Sequence, residues 1–200
     1  MIAQKIAIAK VRSTLLRLNY GFWENGNYNL NIIGVRKEKG SMDVYDDWIM
    51  CIYKRDGIWC MDEWTATVDP GKYWVKNFDN PNGVAYLVPG QYRSAWSIGK
   101  HRGKYDALVQ VKPVQVYRDN NKDEVVDLNP TTIDTGIFGI NIHRSHETAL
   151  MTSVDQWSAG CQVFQRPEDF AKFMELARLS ASLYGNKFTY TLIDELELYK

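Results

Sequence analysis

Cys161 and His143 are the residues of this chain whose types and surroundings could do covalent chemistry. Cys161 ends the run Trp157-Ser158-Ala159-Gly160-Cys161 and is followed by Gln162-Val163. Small residues ahead of a nucleophile let the backbone turn sharply and leave N–H groups to meet an oxyanion. A thiol has an ordinary pKa of about 8.5, so it needs a neighbouring imidazole or other cation to favour the thiolate near neutral pH. His143 closes the segment Gly136-Ile-Phe-Gly-Ile-Asn-Ile-His143. As one strand, that segment sends Phe138, Ile140 and Ile142 to the core and Gly139, Asn141 and His143 to the opposite face. The second face is small and polar, so His143 is expected to look into a cavity or solvent. The plain alternative makes Cys161 a buried small hydrophobe and His143 a hydrogen-bonded surface residue.

The ordered pair resembles the L,D-transpeptidase catalytic domains of peptidoglycan chemistry. Members of that family carry a His on a strand and, after a gap in the teens, a Ser/Thr-His-Gly-Cys stretch. Here His143 is followed by fourteen residues and then Ser158-Ala159-Gly160-Cys161. The resemblance implies that Cys161 is an acyl-accepting nucleophile with His143 as its base. Ser158 and Gly160 complete the catalytic motif, and the N–H groups around Gly160 and Cys161 form the oxyanion site. Asn141, Arg144, His146, Trp157 and His101 are the expected substrate-binding surroundings, with no cofactor and no metal. The implied partner is a peptidoglycan stem peptide, and the implied reaction is acyl transfer to an amine or to water. Ala159 stands where the family has His, and Gln162-Val163 replaces a hydrophobic–Arg/Asn pair that helps hold substrate carboxylates. The likeness covers about residues 65–165 and is to a divergent, phage-type branch.

Other constellations have competing readings. His143 and His146 with Cys161 and His101 have the residue types of a zinc site, but the i, i+3 spacing suits a helix and not a strand end. His146 otherwise reads as cleft-lining or solvated. Asp119, Asn121 and Asp123 imitate the start of a calcium loop, yet Glu124 and Pro130 occupy the positions that need Gly and Glu. A polar hairpin turn explains them. The cluster Lys100-His101-Arg102-Gly103-Lys104, with Arg93, either holds carboxylates or is a solvated loop. Asp134 either orients His143 as a third triad member or caps a turn. Asn141 or a backbone carbonyl could orient the ring instead. A sortase-like or chymotrypsin-like cysteine peptidase also places His before Cys; a sortase needs a strand Arg after the Cys, and Arg166 falls at a helix start. A binding or structural protein, for instance of a virion, with a vestigial thiol on the same scaffold is the non-enzymatic alternative.

These residues must be positioned by a β-rich α+β body, an L,D-transpeptidase-like sandwich or barrel in a single domain of 200 residues. Residues 1–22 hold an N-terminal helix, with Ile8, Val11, Leu15 and Leu18 on one face. Residues 28–165 form the catalytic body. Its expected strands are Asn31–Arg36, Trp48–Lys54, Ile58–Thr67, Val84–Val88, Gln91–Ile98, Ala107–Arg118 and Gly136–His143. Turn signals such as Asp56-Gly57 and Pro89-Gly90 separate them, and Pro113 marks an edge or bulge. Residues 166–200 hold a helix and a final strand. Pro167-Glu168-Asp169 opens the helix, and Phe170, Phe173, Met174, Ala177, Ala181 and Tyr184 share a face.

Lysine plus arginine equals aspartate plus glutamate at 24 each, which demotes nucleic acid as a partner. No run reaches the roughly 20 apolar residues that span a bilayer. The N-terminus lacks an apolar signal core. A wall enzyme would therefore be expected to reach the periplasm or cell wall by phage lysis, in a virion or by a non-Sec route. Three cysteines make no disulfide framework. Cys60 should face Tyr53 and Cys51 face Asp62 across the hairpin, so both read as packing residues.

Overall fold

The computed structural model describes residues 2–38 and 40–200, with side chains from residue 7 onward in the first helix. The fold is mainly β. Helix α1 spans Ile2–Arg17, α2 Lys72–Lys76 and α3 Pro167–Tyr184. The strands are β1 Asn31–Arg36, β2 Asp47–Arg55, β3 Ile58–Thr67, β4 Val84–Leu87, β5 Gly90–His101, β6 Tyr105–Gln110, β7 Val114–Asp119, β8 Asp134–Gly136, β9 Ile142–Arg144, β10 Gln162–Phe164 and β11 Phe188–Asp194.

Eight strands close a barrel in the order β1-β11-β5-β6-β9-β10-β3-β2, and β4-β7-β8 form a separate sheet. Two barrel pairs are parallel, β1 with β11 and β9 with β10. Alternation along the strands explains the packing. Ile32, Ile49, Cys51, Tyr53, Tyr190 and Leu192 fill one core with Trp64, Trp96 and Phe164. Their neighbours Ile33, Val35, Met50, Ile52 and Ile193 face outward and meet Ile8, Val11 and Leu15 of α1. β1 is thus buried along its whole length, which a one-sided alternating strand would not be. Helix α3 places Phe170, Phe173, Met174 and Ala177 against Trp64 and Phe164. Tyr184 lies off that face, half-exposed, and its hydroxyl donates to the Asn27 carbonyl.

The β2–β3 hairpin pairs Tyr53 with Cys60 and Cys51 with Asp62, as expected, and all three cysteines are free. Two expected strands are broken. The Ala107–Arg118 run divides at Pro113, where β6 leaves the barrel and β7 joins the second sheet. The Gly136–His143 run divides in the same way between β8 and β9. Its middle, 137–141, is irregular backbone with Gly139 at φ +75°. The period-2 pattern looked continuous because Ile140 and Ile142 still reach the core and Phe138 packs against it. Sequence alternation does not register the change of sheet. Helix α2, five residues long, is too short to show a helical period in the sequence.

Candidate functional site

The turn that carries Cys161 is built for one backbone shape. A single 3-10 turn, Asp155–Trp157, leads into extended Ser158. Gly160 then sits at φ +118°, and a Cβ there would strike the Ala85 carbonyl. Fully buried Ser158 ties the turn together. Its Oγ accepts from the Gly160 N–H at 3.2 Å and donates to the Cys161 carbonyl at 2.8 Å. Buried Gln162 adds a second brace, donating from Nε2 to the Gly160 carbonyl at 3.2 Å and the Val68 carbonyl at 3.3 Å. Its Oε1 accepts from the Tyr190 hydroxyl at 2.7 Å across the barrel interior. The Gly71 N–H reaches the Ser158 carbonyl at 2.8 Å, fastening α2 to the same turn. The expected oxyanion site is corrected here: Ser158 consumes the Gly160 N–H. The Cys161 N–H donates to no group among the described residues.

His143 is positioned by β9, where it pairs with Val163 of β10 while Ile142 pairs with Gln162 and Leu108. Asn141 lies opposite Cys161: its N–H meets Cys161 Sγ at 3.4 Å and its carbonyl accepts from the Gln162 N–H at 2.9 Å. His143, two residues further on, therefore projects on the same side as Asn141. The expected outlook on a cavity or solvent holds only in part. His143 borders a cleft but is just 3% exposed. The reason is His101 at the end of β5, whose ring stacks on it with centroids 4.0 Å apart.

The tautomers follow from the partners. The Arg144 carbonyl can only accept, so His143 Nδ1 carries the proton and donates to it at 2.7 Å. The Tyr105 hydroxyl donates to the same carbonyl at 3.2 Å and lies 3.3 Å from Nδ1. His143 Nε2 is left as a bare acceptor, buried and without a partner among the described residues. Asn141 Oδ1 already accepts from the Gln110 N–H at 2.9 Å, so its Nδ2 donates to His101 Nδ1 at 3.0 Å. Both imidazoles are neutral. Burial, then the neighbouring His101 ring and the Arg102 charge, hold His143 down at about 3, against the Arg144 hydrogen bond. Burial and Arg102 hold His101 down at about 4.

Cys161 is half-buried, with Sγ donating to the Gly139 carbonyl at 3.4 Å. Burial pushes the thiol up to about 11; the Asn141 N–H and the Arg102 charge act the other way but do not prevail. This is opposite to a thiolate held by an imidazolium, and no hydrogen bond joins Sγ to Nε2. The pair is a neutral thiol just ahead of β10 and a neutral imidazole on β9.

A cleft of about 330 Å³ lies beside His143, lined among others by His101, Tyr105, His143, Arg144, His146 and Trp157. A second, of about 420 Å³, includes Ala159, Ile140 and Phe138. Arg102 lines both. Arg144 lies 4.3 Å over the Tyr105 ring and bonds Glu147 at 3.2 Å. His146 Nδ1 accepts from the Thr148 and Ala149 N–H groups, and its ring meets Trp157 edge-on. Three readings left open by the sequence are narrowed. Asp134 pairs with Arg118 in the second sheet, not with His143; the Arg144 carbonyl orients the ring. Within the basic cluster Lys100 pairs with Asp106, while Arg93 lies over Trp23 in a different cleft. Arg166 stands at the start of α3, as expected, and meets Glu168 at 3.6 Å. Tyr105, Gln110 and the brace role of Gln162 carry no local signal in the sequence beyond the Arg102-Gly103 turn, which pairs Tyr105 with His101. Among the described residues no group of three or more His, Cys, Asp or Glu could hold a metal ion, and no helix is long and apolar enough to cross a membrane.

Comparison with family models, with curated proteins and with solved structures found no match to this chain.

Proposed function

We propose that the protein is a cysteine-nucleophile acyl-transfer enzyme acting on peptidoglycan stem peptides, in the manner of an L,D-transpeptidase or L,D-carboxypeptidase. The observation that carries this reading is His143 Nε2: a buried, unpartnered acceptor, fixed in the basic tautomer on β9, the strand that pairs with β10 directly after Cys161. The resemblance of His143, Ser158, Gly160 and Cys161 to that family supplies the substrate class.

Because the thiol is protonated, attack and proton transfer go together. Cys161 Sγ forms a bond to the substrate carbonyl carbon as its proton passes to Nε2, and the oxygen takes the negative charge facing the free Cys161 N–H. Collapse breaks the C–N bond, and the leaving amine takes the proton from His143. The thioacyl group then passes to an amine, making a crosslink, or to water, trimming one. Tyr105 and the Arg144 carbonyl keep the ring oriented while its charge changes.

The raised thiol and the missing Sγ–Nε2 hydrogen bond favour a second reading, a binding or structural protein with an inert Cys161. Digestion of purified crosslinked peptidoglycan by wild type and Cys161→Ala, with muropeptides resolved by mass, separates the two. Trimmed, cleaved or exchanged stems from wild type alone are expected. Identical profiles across several wall chemistries would remove the enzyme reading.

A further inference from the structure

Arg102 is a cation that acts on the thiol and that the fold leaves uncommitted. The turn between β5 and β6 holds Arg102 at φ +49° and Gly103 at φ +71°, closed by the Lys104 N–H on the His101 carbonyl at 2.9 Å. This fixes where Arg102 emerges, between the two clefts. Its charge acts on Cys161, His143, His101 and Tyr105. The guanidinium has no carboxylate or hydrogen-bond partner among the described residues. Lys100 is neutralised by Asp106, Arg144 by Glu147 and Arg118 by Asp134, while Lys104 lines the cleft over His143 as a second cation unpaired among the described residues. The cleft over His143 sets Arg102, Lys104 and Arg144 against the single acid Glu147, leaving an excess of positive charge. His143, whose buried Nε2 has no partner among the described residues, lines the same cleft.

We propose that this cleft binds a carboxylate carried by the substrate close to its reacting carbonyl, with the Arg102 guanidinium as anchor. A planar guanidinium engages a carboxylate through two parallel N–H···O bonds, which orients the ligand as well as attracting it. The site therefore selects acidic peptides, and Arg102 sets that preference. The proposal rests on the reading of Cys161 as nucleophile only for where the carboxylate must lie.

The test uses the thiol as a reporter and needs no turnover. Iodoacetate and iodoacetamide alkylate Cys161 by the same step: Sγ displaces iodide, a thioether forms, and iodide and the thiol proton leave. The two reagents differ in one negative charge. The ratio of their rates at Cys161, read by mass after digestion so that Cys60 does not interfere, is divided by the ratio for N-acetylcysteine. We expect wild type to favour iodoacetate by roughly fivefold, what an opposite charge a few ångströms away yields in water. Arg102→Gln should bring the value to one, Arg102→Lys should retain part of it, and about 0.5 M salt should shrink it. A wild-type value of one, an unchanged preference in Arg102→Gln, or no reaction at Cys161 with either reagent overturns the proposal. Failure of peptidoglycan digestion alongside a lasting anion preference removes the stem-peptide reading and leaves the carboxylate cleft. Digestion without the preference removes the cleft alone.

Discussion

Two imidazoles stacked 4.0 Å apart repel when charged, and at His101 and His143 burial adds to that penalty. His143 is therefore neutral well into acid, and the Cys161 thiol keeps its proton well into alkali. A reaction needing neutral His143 and protonated Cys161 should show a flat kcat/KM across roughly pH 5 to 9. A limb near 6.5 would instead mean that His143 titrates as an ordinary solvated imidazole. Tyr105→Phe removes a donor from the Arg144 carbonyl but leaves the Nδ1 bond. Turnover should fall by roughly tenfold, the effect of about 1.4 kcal/mol, with KM little changed, because the ring loses restraint and the cleft keeps its shape.

At the scale of elements, the site is assembled from irregular backbone held by buried amides. Gln110 braces 136–140 with three hydrogen bonds and Lys112 with a fourth: Nε2 donates to the Lys112 and Gly136 carbonyls, and Oε1 accepts from the Phe138 and Ile140 N–H groups. The same stretch supplies the Gly139 carbonyl and Asn141 N–H that meet Cys161. Gln110→Ala should cost about 2–4 kcal/mol in urea denaturation, since two carbonyls and two N–H groups lose partners together. Gly160→Ala imposes both the unfavourable φ and the collision with the Ala85 carbonyl. It should lose at least about 2 kcal/mol and abolish Cys161 turnover, whereas Gly103→Ala, whose Cβ would meet nothing within 4 Å, should pay only for its φ, about 1 kcal/mol.

For the whole molecule, the barrel interior links distant strands to the site. Gly34 of β1 leaves room for Tyr190, whose hydroxyl holds Gln162 beneath the Cys161 turn. Gly34→Ala should therefore destabilise the barrel by about 1–3 kcal/mol and change Cys161 alkylation, although residue 34 lies outside the cleft. Stability should also depend on pH through the stacked pair. Their folded pKa values, about 3 and about 4, lie below the unfolded value of about 6.5. Below 6.5 the unfolded chain binds protons that the fold refuses, so stability is present above that pH and falls with acid until each folded pKa is reached. Melting at pH 5 against pH 7.5 should show a loss of roughly 2 kcal/mol for each buried imidazole, and His101→Gln should reduce it.

Strand periodicity, turn dipeptides and helix-start residues were enough to place most of β1–β5, α1 and α3, because they act within a few residues of one another. The opposition of Tyr53 to Cys60 was legible for the same reason: the Asp56-Gly57 turn sets the register. His143 and Cys161 could be paired from order and spacing alone. Their environment could not, since it depends on groups brought from elsewhere in the chain. His101 and Tyr105 come from the β5–β6 hairpin, Gln110 from the end of β6, and Tyr190 from β11. Local sequence says that an imidazole is present; only closure of the barrel decides that it is stacked, neutral and nearly out of water.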